Sequence, residues 1–193
     1  MNTLKEKIKT IPKPYFSLRD IEKISSMDIG GLKVSLNRLV KREELTRISH
    51  GLYTMDVAAL DFEKIACEIY RPAYVSFESA LAMHNVLSQK PLHITLASTN
   101  RSKKIRLGDR LAIYHHLKRD LFWGFVRYGD HLLAEPEKAF LDLAYLSSKG
   151  YAHFDFEEMN LELLNKKKLE RYCRKFCKAG IKKVCNFLPK EKK

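Results

Sequence analysis

The side chains best placed to do chemistry lie between residues 33 and 50. Lys33, Val34, Asn37, Arg38, Lys41 and Arg42 recur at three- and four-residue intervals, the spacing of one helix face. The centre of that face falls near Val34, Arg38 and Lys41, with Asn37 beside them. These are types that read duplex DNA: asparagine pairs with adenine, arginine with guanine, and an exposed valine packs on a thymine methyl. Lys33, Lys41 and Arg42 suit phosphate oxygens instead. Arg47 and His50 follow on a predicted hairpin, from which they reach the backbone or the minor groove. The same pattern also describes a solvated amphipathic helix or a protein-docking face.

A second group is Glu78, Glu135, Glu137 and Lys138, whose acids could serve a nuclease. Helix capping explains Glu135, Glu137 and Lys138 more simply, because Pro136 fits a first helical position and acids suit the positive end of the dipole. His84 sits on a predicted helix over 76–87, where a lone histidine is usually structural. His115 and His116 are adjacent on a predicted strand and point to opposite faces, which disfavours shared ligation. Cys173, Cys177 and Cys185 lack the CxxC knuckles of a zinc site, so buried or half-buried thiols are expected. The chain has no G-x-x-x-x-G-K-[ST], G-x-S-x-G or H-E-x-x-H. No catalytic residue, metal or cofactor is expected, and a non-enzymatic role is favoured.

The basic face needs elements to hold it outward. From Leu32, apolar residues fall at Leu36, Leu39 and Val40 on the opposite side of the helix, and Gly30-Gly31 before it reads as a turn. After Lys41 the period changes. Leu45, Ile48 and Leu52-Tyr53-Thr54 read as two short strands joined by Ser49-His50-Gly51, where glycine can take a positive φ. Upstream, Leu4, Ile8 and Ile11 share a helix face that Pro12 and Pro14 terminate. Ser17 caps a second helix carrying Leu18, Ile21 and Ile24. Helix, helix, turn, helix and hairpin within about 55 residues is the plan of a winged helix-turn-helix. Its predicted core is Leu4, Ile8, Phe16, Leu18, Ile21, Ile24, Leu32, Leu36, Leu39, Val40, Leu45, Ile48 and Leu52.

Downstream, a helix is predicted over 61–70 and a short strand at Tyr74-Val75. Ser76 then caps the helix to Leu87, with an apolar stripe of Phe77, Leu81 and Met83. Strands follow at 93–97, 111–116 and 122–128, with a basic loop, Ser98 to Lys104, after the first. Residues 136–146 are apolar almost all round and predict a buried helix. Beyond Gly150, an acidic-to-apolar helix around Phe154 to Leu164 is expected. Two helices with basic outer faces, around Leu169–Phe176 and Ile181–Leu188, complete the chain.

The 193 residues carry a formal net charge of +13, unevenly placed. Residues 1–55 hold 11 Lys/Arg against 6 Asp/Glu, residues 56–165 hold 13 against 15, and residues 166–193 hold 12 against 2. Two basic ends around a near-neutral middle favour phosphate backbones through counterion release. No run of about 18 apolar residues is present, and the charged N-terminus has no signal-like apolar core. Four cysteines, three of them clustered, do not make a disulfide framework, so a cytoplasmic location is expected.

Several segments together resemble the AbiEi family, antitoxins and transcriptional regulators of type IV toxin–antitoxin pairs in bacterial abortive infection, a form of phage defence. They are the N-terminal winged-helix pattern and Tyr74-Val75-Ser76-Phe77-Glu78-Ser79-Ala80-Leu81 followed by His84. With them go Ile94-Thr95-Leu96-Ala97 with Arg101-Ser102-Lys103-Lys104, and Leu133-Ala134-Glu135-Pro136-Glu137-Lys138-Ala139 with Leu141-Asp142-Leu143. The resemblance covers about residues 1–150. Asn85 departs from it, where glycine often follows the histidine, as does the Lys-rich tail.

The pattern gives an α+β chain: a winged helix-turn-helix over 1–56, a mixed α/β domain over 57–150, antitoxin-type by the resemblance, and a basic helical extension over 151–193. The resemblance implies a repressor that binds inverted repeats in the promoter of its own operon. It implies that the second domain counters a nucleotidyltransferase-type toxin without a stable complex. Arg101, Lys103 and Lys104 then become candidates for antitoxicity or further nucleic-acid contact. The competing expectation is a stand-alone regulator whose α/β domain senses a ligand or a protein.

Overall fold

A computed structural model describes residues 3–152 and 158–178. The chain is α+β and divides into two compact units, Met1–Phe62 with Arg106–Asp109, and Glu63–Ile105 with Arg110–Lys193.

The first unit begins with α1 (Leu4–Lys9), entered through a capping box between Thr3 and Glu6. Strand β1 (Phe16–Ser17) leads into α2 (Leu18–Ile24), where Ser17 and Asp20 form a second capping box. Helix α3 (Ile29–Lys41) is followed by the hairpin β2 (Thr46–Ser49) and β3 (Leu52–Thr54). The three strands form one antiparallel sheet in the order β1-β3-β2, with an irregularity between Arg47 and Ser49. Ile8, Phe16, Ile21, Leu32, Leu36, Leu45 and Tyr53 make the core, and Leu4, Leu18, Ile24, Leu39 and Val40 pack at its margin. Tyr53, read from sequence only as a strand end, is the core residue that pattern reasoning left out.

Gly30 and Gly31 are not a turn, as expected, but the first turn of α3. Asp28 is the N-cap, and its carboxylate accepts from the N–H groups of Gly30 (3.0 Å) and Gly31 (3.2 Å). A Cβ at Gly31 would meet Asp28 Oδ1 at 2.9 Å, so the missing side chains let the carboxylate close on the helix.

The second unit is a six-stranded sheet in the order β6-β7-β5-β4-β9-β8. Its strands are β4 (Ala73–Val75), β5 (Ile94–Ser98), β6 (Lys103–Leu107), β7 (Arg110–His116), β8 (Phe125–Tyr128) and β9 (His131–Ala134). Pairing is mixed: β4 with β5 and β8 with β9 are antiparallel, β4 with β9 and β5 with β7 parallel. Tyr74, Ala97 and His115 lie opposite one another across three neighbouring strands and therefore share a face. On that face α5 (Phe77–Met83) and α6 (Pro136–Ser148) pack, with Phe77 edge-on to His115 and Tyr74 bonded to Asp142 of α6. Tyr114 points the other way, and its hydroxyl donates to Ala66 O of α4 (Phe62–Ile69) at 2.7 Å.

Several expectations are corrected here. Strand β6 begins inside the predicted basic loop, and β9 occupies residues read only as a lead into the next helix. The strand predicted over 122–128 starts at Phe125, after a 3-10 turn at Arg119–Leu121. Helix α5 stops at Met83, because Asn85 adopts a left-handed φ of 58°, and Met83 is exposed. Ser76 does not cap α5 with its side chain; its hydroxyl donates to Asp142 Oδ2 at 2.8 Å. The described part of the C-terminal extension is not a free tail. Helix α7 (Lys166–Lys178) buries Leu169, Tyr172, Cys173 and Phe176 and groups with the second unit. Phe154, Phe156 and the predicted helix around 181–188, with Cys185, lie outside the described residues. Of the remaining cysteines, Cys67 and Cys177 are thiols and Cys173 is disulfide-bonded rather than a thiol.

Glu135, Glu137 and Lys138 do not cap α6 with their side chains. Pro136 holds the first helical position as predicted, but Glu135 makes no side-chain cap bond. Glu135 accepts from Lys168 Nζ (3.0 Å) and from the Tyr172 hydroxyl, and Glu137 accepts from Asn165 N (3.0 Å). These bonds join α7 to the start of α6. Lys138 turns inward and is wholly buried. Among the described residues no helix is long and apolar enough to cross a membrane.

Candidate nucleic-acid interface

Helix α3 presents its two faces as the sequence periodicity requires. Leu32 and Leu36 are fully buried, while Lys33, Val34, Asn37, Arg38, Lys41 and Arg42 are exposed. Val34 is 50% exposed. The helix is held in place by the Asp28 cap at one end and by the β2–β3 hairpin that follows the other.

Arg47 and His50 are also exposed, and they lie together at the hairpin tip. The Arg47 guanidinium sits 3.2 Å from His50 Nδ1, and its Nε donates to Ser49 O at 3.3 Å. Gly51 takes φ 69° there, which closes the turn between the strands. The tip is tied back by the N–H of Leu18, which donates to Gly51 O at 2.8 Å. The eight side chains proposed from sequence are therefore all on the surface of one unit, five on α3, Arg42 at its C-terminal cap, Arg47 on β2 and His50 at the turn.

The local electrostatics leave these cations available. Among the described residues, Lys33, Arg38, Lys41 and Arg47 form no ion pair with a carboxylate. Glu44, the nearest acid in sequence to Arg42 after Glu43, is held by Lys5 at 2.7 Å. The Lys5 ammonium keeps the Glu44 carboxyl below its ordinary value, with a smaller contribution from Arg42.

In the second unit, Arg101, Lys103 and Lys104 are exposed. Arg101 lies on the loop before β6, whereas Lys103 and Lys104 belong to the edge strand itself, with exposed Arg106 further along it. Lys103 Nζ lies 5.2 Å from the centroid of the Tyr70 ring. Arg106 was not singled out from sequence; its signal was the run Lys103-Lys104-Ile105-Arg106-Leu107, a charged edge strand of the sort that resists edge-to-edge pairing.

Of the residues considered for catalysis, Glu78, His115 and His116 line one cleft of the second unit, and His84 is tied elsewhere. His84 Nε2 lies 2.8 Å from Ala134 O at the end of α5, a structural tie. His116 Nδ1 lies 3.0 Å from Asn100 O. Among the described residues no group of three or more His, Cys, Asp or Glu side chains is arranged to hold a metal ion.

Glu78, like Glu137, has a buried carboxylate oxygen outside any hydrogen bond among the described residues. In Glu78 this is Oε2, and burial raises its carboxyl above the ordinary value. It faces a cleft of about 1000 Å³ in the second unit, which sequence reasoning did not find. No protein-family model matches the chain, and no curated protein matches it.

Proposed function

We propose that this protein is a DNA-binding antitoxin: a winged helix-turn-helix over its first unit represses its own operon, and its second unit counters a nucleotidyltransferase-type toxin. The observation that carries the DNA-binding part is the outward, carboxylate-free face of α3, continued by Arg47 and His50 on the adjoining hairpin. In this reading α3 enters the major groove, where Asn37, Arg38 and Val34 meet base edges and Lys33, Lys41 and Arg42 hold phosphates. The hairpin is the wing, with Arg47 directed to the backbone or minor groove. The antitoxin part rests on the resemblance of the segments around Glu78, Ile94 and Lys138 to the AbiEi family, and the basic strand β6 is its candidate surface.

Footprinting the full chain on the DNA upstream of its own gene tests the repressor role. Protection of an inverted repeat, lost in an Asn37→Ala/Arg38→Ala variant, is the expected result. Uniform protection that the variant retains would reject it. Co-expression with the product of an adjacent nucleotidyltransferase-like gene tests the antitoxin role separately.

A second reading, a stand-alone regulator with a sensing domain, is favoured by one observation, the cleft beside Glu78. Absence of any nucleotidyltransferase-like neighbour gene would favour that reading over the first.

A further inference from the structure

The sheet of the second unit is wider than the helices that cover it. Helix α5 packs on β5 and α6 meets Tyr74 of β4, and residues of β5, β7 and β6 line the cleft beside Glu78. Thr95 and Ile113 lie opposite each other there, on the same side as His115. The cleft measures about 1000 Å³, the upper end of the range for small-molecule sites.

Its walls carry several kinds of chemistry, with His93, His115 and His116 lining it beside the groups that follow. Lys104 from β6 and Lys149 after α6 are exposed ammonium groups without an ion pair among the described residues. Glu78, from α5, brings a buried acceptor oxygen without a partner. Lys104 stands on β6, two strands across from the β5 residues beneath Glu78, so a span of about 10 Å separates the cationic side from the acceptor. Tyr151 and Leu92 add large apolar surface at the same cleft, 74% and 86% exposed. An isolated phosphate would use only the lysines, and an apolar molecule only the last two residues. A ligand that satisfies all of them is anionic at one end and has a flat ring with N–H donors at the other.

We infer that this cleft binds a nucleoside phosphate, with Lys104 and Lys149 on the phosphate, Tyr151 against the ring and Glu78 accepting from a ring or exocyclic N–H. The inference is independent of the DNA-binding role assigned to α3. The ligand is either a free nucleotide or the phosphorylated end of a single strand, which present the same groups.

The test is calorimetric titration of the full chain, in chelator, with AMP, GMP, CMP, UMP, inorganic phosphate and a 5′-phosphorylated single-stranded trinucleotide. Saturable one-to-one binding is expected for nucleotides, at least tenfold tighter than for inorganic phosphate. Lys104→Ala, Lys149→Ala and Tyr151→Ala, all at exposed positions, should each weaken it at least fivefold, and Arg38→Ala on α3 should leave it unchanged. Tighter binding of the trinucleotide identifies a strand end as the source, and equal binding a free nucleotide; either supports the site. No saturable binding overturns the inference, as does equal affinity for inorganic phosphate. Binding that survives all three cleft substitutions overturns it too, because it then belongs to another basic surface. Loss of operator protection in the α3 variant with nucleotide binding intact separates failure of one proposal from failure of the other.

Discussion

Lys138 and Asp142, one turn apart on α6, form an ion pair in which neither side chain is exposed to solvent. The pair is embedded in donors and rings. Lys138 Nζ donates to the Tyr74 hydroxyl at 2.9 Å, which in turn donates to Asp142 Oδ2 at 2.9 Å, and Ser76 donates to the same oxygen. The ammonium lies 5.1 to 5.5 Å from the ring centroids of Trp123, Phe176 and Tyr74. Gly124, at φ 74°, passes so close that a Cβ there would meet Lys138 Cγ at 3.0 Å. Burial pulls the lysine below its ordinary value and the aspartate above it, and the opposite charge of each restrains the other.

Removing one partner therefore strands a charge in a dry interior. Lys138→Met or Asp142→Leu alone should destabilise the protein by about 3–5 kcal/mol, whereas the double substitution should recover most of that loss. Guanidinium unfolding of the three variants measures the difference. Additive losses in the double variant would show that the two residues act separately.

Asp20 governs the acid stability of the first unit. Its carboxyl is pulled down to about 2, first by the Ser17 hydroxyl (2.7 Å), then by the Ser17 N–H (2.9 Å), with Lys13 adding less. A depressed carboxylate contributes stability that is fully present above its unfolded value of 3.8 and is lost as pH falls through about 2. Because the group is half-buried at the surface of the unit and screened by solvent, the contribution is about 1 kcal/mol. Asp20→Ala should lower stability by that amount at pH 7 and by much less at pH 2, read from urea unfolding at the two pH values. An equal effect at both would point to lost packing instead.

The first unit was legible because its signals are local. The change from helical to alternating period at Lys41 marks where α3 ends and the hairpin begins, and Ser17 and Gly51 announce their own backbone roles. The second unit was legible only where an apolar run was long enough, as in α6. Strand β6 carries Lys103, Lys104 and Arg106 on an edge, so it lacks the apolar alternation of a covered strand. Asn85 ends α5 in a left-handed conformation that its residue type permits but does not demand. Lys138 was misread because Glu-Pro-Glu-Lys looks like a helix start. Its burial depends on Tyr74 and Trp123, 64 and 15 residues distant in the sequence. The cleft beside Glu78 is assembled from β5, β6, β7, α5 and the end of α6, and no local pattern records such a meeting.

Glu78 gives a pH signature of the opposite sign to Asp20. Burial raises its carboxyl, so the folded state prefers the protonated form. The stability this brings is fully present below the unfolded value of 4.5 and is lost as pH rises through the higher folded value. Above that folded value the ionised group leaves a buried oxygen without a partner, and there Glu78→Gln should stabilise the free protein by about 1 kcal/mol. The gain should shrink towards zero near pH 4.5. Thermal denaturation at pH 7 and pH 5 reads it, and a gain that does not change with pH would mean that the carboxylate charge is not its source.

The α3 face makes the most discriminating prediction, because base-reading and phosphate-holding residues on one helix differ in how they respond to sequence and salt. Arg38 and Asn37 are assigned to base edges, so Arg38→Ala and Asn37→Ala should each weaken operator binding by about 1–3 kcal/mol and barely change binding to unrelated DNA. Lys41 is assigned to phosphate, so Lys41→Ala should weaken both similarly and reduce the slope of log K against log salt by about 1. All three residues are exposed, so none of these substitutions removes core packing. Fluorescence titrations of operator and scrambled duplexes at several salt concentrations would measure both quantities. If Arg38→Ala weakened the two duplexes equally, Arg38 would be a phosphate contact and the register of α3 in the groove would be rotated. If all three variants bound like the wild type, the face would have some other occupant, and the repressor reading would lose its physical basis.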